Sequence, residues 1–287
     1  MTAPDLSCVV MSYRDEPNLV AAVRSLLEQS VPVEVVVVNS GGGNPAGRLA
    51  AAGVRVPVHS VEHRLYPGAA RNAGLDMTTA PYVSFLAADC LATPGWAAAR
   101  LRAHRNGASA VASPLTNANP ESVIAWSSLL LQHNRRLAVT RPSQRLHYSL
   151  SYERALFERF GRFREDLRAG EDTEFNDRLR GFTRIVLAED AVTAHRYPTA
   201  MRDMLRDAFR RGSLQARMQG AIDGGAAQRL RVAASGPRNV IRSLIVSLRS
   251  DPPDRGALLR ACPLVVLGAA AYSAGALLAV GAEHDRR

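Results

Sequence analysis

The sequence predicts an α/β protein with a mostly parallel, Rossmann-like sheet flanked by helices and an Arg-rich helical extension at the C-terminal end. The first observation is a series of short apolar runs typical of buried strands. The second is that segments with helical spacing alternate with these runs, as in a doubly wound sheet. The third is a change to arginine-rich helical segments after about residue 200. The apolar runs are at Leu6–Met11, Val33–Val38, Val54–Val61 and Tyr82–Leu86.

The segments between these runs have helix signals. Asp15, Glu16 and Pro17 form a helix-start cluster after the first run, and apolar residues then recur with helical spacing to about Gln29. Between residues 90 and 195 the strand signal is weaker. There we predict helices at 97–105, 122–137, 153–160 and 172–179, and strands at 110–114 and 185–187.

The composition is that of a folded globular protein, with 47% apolar and 22% charged residues in a chain of 287. All 36 basic residues are arginine, because the sequence contains no lysine. Mechanisms that need a lysine are therefore excluded, including Schiff-base chemistry, a lysine cofactor anchor and a Walker P-loop.

The cysteines and the N-terminus favour the cytoplasm. Cys8, Cys90 and Cys262 are far apart and fit neither a disulfide framework nor a zinc-ligand spacing, so we expect a reducing compartment. The first residues lack the basic start and the long apolar run of a signal peptide.

The positive charge is concentrated in the C-terminal third. The formal net charge is +10, yet residues 1–195 contain 21 arginines and 19 acidic residues. Residues 196–260 contain 13 arginines and 5 acidic residues. We predict a domain over residues 1–200 and a helical extension over residues 201–287. Glycines and prolines predict helix breaks near residues 220–225, 236–237 and 252–253.

The extension predicts contact with an anionic membrane surface. Residues 239–249 place apolar side chains beside arginines, as interfacial helices do, and residues 261–282 are uncharged. That uncharged run is just long enough to cross a ~30 Å hydrocarbon core, although a buried helix or hairpin is the alternative. We expect the cytoplasmic face of the cell membrane, by peripheral attachment or a single C-terminal span. Aromatic interleaving is absent, so we expect no nucleic-acid partner.

Polar residues follow the predicted strands. Ser12-Tyr13, Asn39-Ser40 and Ala87-Ala88-Asp89 each stand at the carboxyl end of an apolar run. In open α/β sheets ligands bind beyond the carboxyl ends of the strands, so these residues predict a binding site.

Four segments in order resemble the family 2 glycosyltransferases, which have a GT-A fold and use nucleotide sugars. The resemblance covers roughly residues 5–200. It implies transfer of a sugar from a nucleotide-diphosphate sugar to an acceptor hydroxyl with inversion. The extension motivates the hypothesis that the acceptor is a membrane-bound or lipid-linked molecule. The segments are Val9–Leu19, Val33–Gly43, Gly68–Leu75 with Tyr82–Asp89, and Gly170–Leu179.

The resemblance implies a set of residues that bind the nucleotide sugar. Ser12 and Tyr13 would hold the base or ribose, although Tyr13 could instead cover the core. Asp15 matches an acidic residue near the base but is equally suited to a helix N-cap. Arg71 opens a helix whose N-terminus would face the diphosphate, and a solvated surface arginine is its alternative. The further residues of this predicted set are Asn39, Ser40, Asn72 and Ala88.

A divalent metal, Mg²⁺ or Mn²⁺, is implied at Asp89, with His195 as a further metal or diphosphate contact. The family usually has Asp-x-Asp here, and this chain has Ala87 in place of the first carboxylate. The family also commonly has Asp where this chain has Asn39. The two missing carboxylates motivate an alternative function from another class, a weakly active or inactive relative that binds a ligand or partner at the membrane.

An acidic pair supplies the predicted catalytic base. Asp172 is predicted to deprotonate the acceptor hydroxyl, and Glu171 to position the acceptor or the metal site. Acidic residues are also favoured at a helix N-terminus, so capping is the alternative. A dinucleotide-binding pattern at Gly41–Ala46 follows the second strand rather than the first, which disfavours an oxidoreductase.

Overall fold

The chain divides into two compact units, each with its own core. The computed structural model describes residues 3–133, 150–220, 225–249 and 255–279. The first unit consists of Met1–Thr116 and Arg141–His195, and the second of Asn117–Thr140 and Arg196–Arg287. The second unit therefore combines an internal segment with the C-terminal third.

Seven strands of the first unit form one sheet in the order β3-β2-β1-β4-β8-β6-β9. The pairs β1–β2, β1–β4, β2–β3 and β6–β9 are parallel, and β8 is antiparallel to both of its neighbours. The predicted mostly parallel α/β sheet is thus confirmed. The strands are β1 Leu6–Tyr13, β2 Val33–Ser40, β3 Val58–Val61, β4 Tyr82–Ala87, β6 Ala110–Ala112, β8 Ser151–Glu153 and β9 Ile185–Leu187.

A small second sheet has the order β5-β10-β7. Its strands are β5 Cys90–Ala92, β7 Leu115–Asn117 and β10 Thr193–His195. β10 is antiparallel to β5, and His195 pairs with Cys90. Since β5 starts three residues after β4 ends, this sheet places the end of β10 beside the end of β4.

Both faces of the large sheet are buried, which explains why its strands appear in the sequence as continuous apolar runs. Along β1, Cys8 and Val10 belong to one core cluster, and Val9 belongs to the other. The helices α1 and α4 contribute to the first cluster, and α3, α6 and α7 to the second. The helices of this unit are α1 Leu19–Leu27, α2 Pro45–Ala51, α3 Pro67–Asp76, α4 Trp96–Arg105, α6 Ala155–Phe160 and α7 Glu171–Leu179.

The described part of the second unit is helical. A core cluster joins Trp126 and Leu129 of the internal segment to Val240, Leu258 and Val265. The internal segment predicted as a helix over 122–137 is a helix over Val123–His133, and residues 134–137 lie outside the described part. The helices are α5 Val123–His133, α8 Met201–Met218, α9 Gly225–Arg249 and α10 Arg255–Leu277.

The predicted helix break at residues 236–237 is wrong, because α9 continues through Pro237. Proline has no N–H, so it leaves the carbonyl of Ala233 without its usual intrahelical donor. The hydroxyl of Ser273 on α10 donates to that carbonyl at 2.9 Å. The neighbouring helix therefore supplies the hydrogen bond that proline removes. The break predicted at 252–253 lies outside the described residues, and the one at 220–225 lies largely outside them.

α10 includes most of the predicted uncharged run, of which residues 280–282 lie outside the described part. Within that part it is the one helix long and apolar enough to cross a membrane by length and composition, and 22% of its most apolar window is buried. Glycines let it approach α8 closely, since a Cβ at Gly275 would stand 2.0 Å from the carbonyl oxygen of Phe209. A Cβ at Gly212 of α8 would likewise stand 1.9 Å from the carbonyl oxygen of Tyr272.

The role of the Ser273 hydroxyl can be tested by a double-mutant cycle. We expect Ser273→Ala to lower the free energy of unfolding by about 1–3 kcal/mol, because it leaves the buried Ala233 carbonyl without a donor. In a Pro237→Ala background the restored backbone N–H satisfies that carbonyl, so the same change should cost much less. Urea unfolding of the four proteins measures both costs. Equal costs in the two backgrounds would contradict the assignment.

Candidate active site

The polar ends of three strands meet at one edge of the large sheet. In the parallel register Ser12 pairs with Asn39, Tyr13 pairs with Ser40, and Met11 pairs with Ala87. The N–H of Ala88 continues this pairing by donating to the carbonyl of Met11 at 2.9 Å. The residues predicted at separate strand ends therefore lie on neighbouring strands.

Three potential metal ligands lie together at this edge. Nε2 of His195 is 3.6 Å from Oδ2 of Asp89, and Sγ of Cys90 is 3.6 Å from Oδ1 of Asp89. The ligand atoms of the three side chains all lie within 4.8 Å of one another. Within the described ranges this is the one such group of His, Cys, Asp or Glu side chains. The structure thus brings the predicted metal residues Asp89 and His195 together.

Sequence reasoning missed Cys90, because it compared the cysteines only with one another. The signal available in the sequence was the adjacent pair Asp89-Cys90 directly after an apolar strand. The second signal, the pairing of Cys90 with His195 across β5 and β10, is a contact over more than 100 residues and is visible only in the fold.

A buried ion pair connects two of the predicted site residues. Nη1 of Arg71 on α3 is 2.8 Å from Oε1 of Glu171 at the start of α7, and the side chains are 15% and 5% exposed. The guanidinium also lies over two aromatic rings, 5.4 Å from the centre of Phe85 and 5.2 Å from that of Phe163. Because Phe85 belongs to β4, the pair flanks the strand that leads to Asp89.

Asp172 is half-buried beside this pair at the N-terminus of α7. Its Oδ1 accepts a hydrogen bond from the N–H of Thr173 at 2.7 Å. Burial raises the pKa of the nearby Tyr152 phenol; the charge of Arg71 lowers that pKa, and the carboxylates of Asp172 and Glu171 raise it. The charges of Arg71, Glu171 and Asp172 therefore all act on the pKa of one buried phenol.

Asn39 has a structural reason to be an amide rather than a carboxylate. It is fully buried, and its Nδ2 donates to the carbonyl of Gly42 at 2.8 Å and to Oγ of Ser60 at 3.2 Å. A carboxylate could not donate to the Gly42 carbonyl. In the described part of the chain Oδ1 of Asn39 and Oγ of the neighbouring Ser12 are buried without a hydrogen-bond partner.

Tyr13 covers the turn that Asn39 holds. A Cβ at Gly41 would stand 2.5 Å from Cε2 of Tyr13, and Gly41 has a φ of +81°, so the turn needs glycine for both reasons. The Tyr13 side of the site is basic, with the guanidinium carbons of Arg14 and Arg64 5.1 and 5.4 Å from the ring centre. Both arginines were missed by the sequence reasoning.

Two of the predicted nucleotide-binding residues hold loops in place. Oδ1 of Asp15 accepts from the N–H of Asn44 at 2.9 Å, just before α2. Nδ2 of the buried Asn72 donates to the carbonyl of Phe163 at 2.9 Å and to Oε1 of Glu165 at 2.8 Å. Their roles in nucleotide binding stay predictions, as do those of the buried Ser40 and Ala88.

The sequence profile of the family described as Glycosyl transferase family 2 matches residues 7–166 of the chain. This is more than half of the chain. The chain belongs to glycosyl transferase family 2. The match confirms the resemblance derived from the four motifs, although the fourth motif, at residues 170–179, lies just beyond the matched range.

A curated relative and several solved structures are similar to this family member. The succinoglycan biosynthesis protein ExoO of Rhizobium meliloti (strain 1021) is 31% identical over 190 residues, which are 59% of this chain and 53% of ExoO. The chain therefore spans about half the length of this relative.

The fold is that of known glycosyltransferase structures. The mannosyltransferase PcManGT from Pyrobaculum calidifontis, in complex with GDP-Man and Mn²⁺, aligns over 95% of this chain and 86% of its own, with a TM-score of 0.57 and 17% identity. S. aureus TarS 1–349 with UDP-GlcNAc aligns over 94% of this chain and 89% of its own, with a TM-score of 0.52 and 19% identity. At these identities the likeness shows the fold.

Restoring the family's usual residue at position 39 should weaken the turn. We expect Asn39→Asp to lower the free energy of unfolding by about 1–3 kcal/mol, because the carboxylate cannot donate to the Gly42 carbonyl. Ser60→Ala is the matched control, since it removes one acceptor and leaves the Gly42 bond intact, and it should cost less. Urea unfolding of both variants measures the difference. An Asn39→Asp protein as stable as the wild type would contradict this role of the amide.

Proposed function

We propose that this chain transfers a sugar from a nucleotide-diphosphate sugar to an acceptor hydroxyl with inversion at the anomeric carbon. The observation that carries the proposal is the convergence of Asp89, His195 and the ends of β1 and β2 at one edge of the sheet. Family membership and the fold it shares with glycosyltransferases solved with GDP-Man and UDP-GlcNAc support it. We propose further that the transferred sugar is a hexose.

The residues at this edge fit a divalent cation and the diphosphate. A carboxylate oxygen and an imidazole nitrogen 3.6 Å apart suit two ligands of one ion. Asp89 and His195 would hold Mg²⁺ or Mn²⁺, and a bound ion would neutralise charge on the diphosphate leaving group. PcManGT, solved with Mn²⁺, is a structural precedent. For the nucleotide base, Tyr13 offers an exposed ring face at the ends of β1 and β2, where Ser12 pairs with Asn39.

In this proposal the acceptor hydroxyl reacts beside the N-terminus of α7, where Asp172 lies. Asp172 takes the proton from the acceptor hydroxyl as its oxygen bonds to the anomeric carbon, and the nucleoside diphosphate leaves with the electron pair of the broken C–O bond. Attack from the face opposite the leaving group inverts the anomeric centre. Glu171 positions Arg71 through the buried ion pair, which keeps the guanidinium beside β4. Breaking such a pair would leave a buried charge at a cost of about 3–5 kcal/mol.

The proposed base is tested by Asp172→Asn. An amide oxygen can still accept the Thr173 N–H, so the helix start is kept, while the loss of the proton acceptor should lower kcat by about 10²–10⁴-fold. Asp177→Asn is the matched control, because Asp177 is exposed on the same helix and bonds Arg180. Nucleoside diphosphate release from a panel of nucleotide sugars with Mn²⁺ measures both variants. Unchanged turnover in Asp172→Asn would remove this residue from the role of base.

The second candidate function is a relative that binds a nucleotide sugar or another ligand without transferring a sugar. The absence of carboxylates at Ala87 and Asn39 favours it. Calorimetry with the same panel separates the two functions. Metal-dependent binding that is lost in Asp89→Ala and is accompanied by turnover supports the transferase, whereas binding without turnover supports the second candidate.

The second unit supports a further part of the proposal, attachment to an anionic membrane and a lipid-linked acceptor. α9 exposes Leu230, Ile241 and Ile245, together with Arg238 and Arg242. Most of the apolar window of α10 is also uncovered by protein within the described residues. Exposed apolar side chains beside arginines suit an anionic lipid surface.

Charge reversal on α9 tests the membrane proposal. Each arginine near an anionic surface contributes ~1 kcal/mol, so Arg238→Glu with Arg242→Glu should lower partitioning to anionic vesicles by about tenfold or more. Reversal of Arg102 and Arg105 on α4 is the control. Co-sedimentation should be done with the full chain, because α5 packs against α9 and α10. Equal partitioning of wild type and the α9 variant would contradict the role of these arginines.

A further inference from the structure

Cys90 lies where a third ligand of the proposed metal would lie. It is 6% exposed, and its Sγ is 3.6 Å from Oδ1 of Asp89. His195 stands directly opposite it in the antiparallel pair of β5 and β10, where opposing side chains share a face of the sheet. The thiol and the imidazole are therefore held on one face of the small sheet by the backbone pairing, and Asp89 directly precedes Cys90.

We infer that Cys90 is a thiolate ligand of this site, and that the site consequently discriminates against Mg²⁺ in favour of softer divalent ions such as Co²⁺, Zn²⁺ and Cd²⁺. The inference rests on the proposed function in so far as the ion serves the diphosphate. It adds Cys90 to the proposed ligands Asp89 and His195. It also predicts which divalent ions the site prefers.

The spacing of the donor atoms fits one ion. Donors about 2.1 and 2.3 Å from the same tetrahedral ion, the usual nitrogen or oxygen and thiolate distances, stand about 3.6 Å apart. In the structure Nε2 of His195 is 3.6 Å from Oδ2 of Asp89, and Sγ of Cys90 is 3.6 Å from Oδ1 of the same carboxylate. The side chain of Asp89 is 40% exposed, so an ion can reach the site from solvent while Cys90 stays on its inner side.

The chemistry of the donors determines which ions are favoured. Thiolate is a soft ligand, and oxygen ligands with bound water suit Mg²⁺, which is reluctant to lose its water. When the S–metal bond forms, the thiol proton passes to solvent, so no oxidant or reductant is needed. A site with one carboxylate, one imidazole and one thiolate therefore favours borderline and soft ions.

Comparison with Cys8 shows what a cysteine without this role looks like. Cys8 is fully buried in the middle of β1 among apolar residues of the core. Burial raises the pKa of its thiol to about 12, and the charge of Arg100 offsets this only in part. Cys8 packs as a small apolar side chain. Cys90, by contrast, is placed at the strand ends beside a carboxylate and an imidazole.

Cobalt absorption tests the inference without any measurement of activity. Co²⁺ added to the full chain should give a thiolate-to-cobalt charge-transfer band, and Cys90→Ser should lose it while keeping weaker binding through Asp89 and His195. Cys262→Ser is the matched control, since this thiol lies in α10, and it should keep the band. In competition titrations the affinity ratio of Cd²⁺ to Mg²⁺ should fall by at least about tenfold in Cys90→Ser.

The outcomes separate this inference from the proposed function. A wild-type protein that lacks the band, or a Cys90→Ser protein that keeps both the band and the affinity ratio, overturns the inference even if the chain transfers sugar with a metal. A band that depends on Cys90 supports the inference even if no donor is turned over, and in that case only the proposed transfer fails.

Discussion

The parallel pairing of β1 with β2 and β4 is the constraint on which the candidate active site depends. It brings Ser12 beside Asn39 and aligns the end of β4 with both. Because both faces of the sheet are buried, a one-residue shift of β1 would exchange the two apolar clusters that contain Cys8 and Val9. Core packing therefore fixes the register, and the register fixes the site.

Those parts of the fold that have local signals could be predicted from the sequence. An apolar run followed by polar residues marks both a buried strand and its ligand-facing end, so the strands and the residues after them, including Asp89, were predicted. The contacts that complete the site join distant segments and have no local signal. His195 meets Asp89 only because β10 pairs with β5, and Arg71 meets Glu171 only because α3 and α7 cover the same face of the sheet.

The two departures from the family pattern differ in whether the structure explains them. At position 39 the surrounding turn accounts for the amide, since Gly42 and Ser60 take both of its N–H bonds. The sequence showed that a carboxylate was missing at position 39. It did not show that the carbonyl of Gly42 needs a hydrogen-bond donor there. At Ala87 nothing in the structure explains the missing carboxylate. A sulfur ligand three positions further, if Cys90 binds as inferred, would restore a third donor by another route.

The internal position of α5 has a consequence for synthesis of the chain. Trp126 and Leu129 pack against Val240, Leu258 and Val265, which are translated more than 100 residues later. At 5–20 residues per second, the apolar face of α5 therefore waits on the order of ten seconds after it leaves the ribosome before its partners exist. The helical unit can complete this core only when residues up to Val265 have been made, so a chain terminated before them exposes α5 and becomes a substrate for chaperones and proteases.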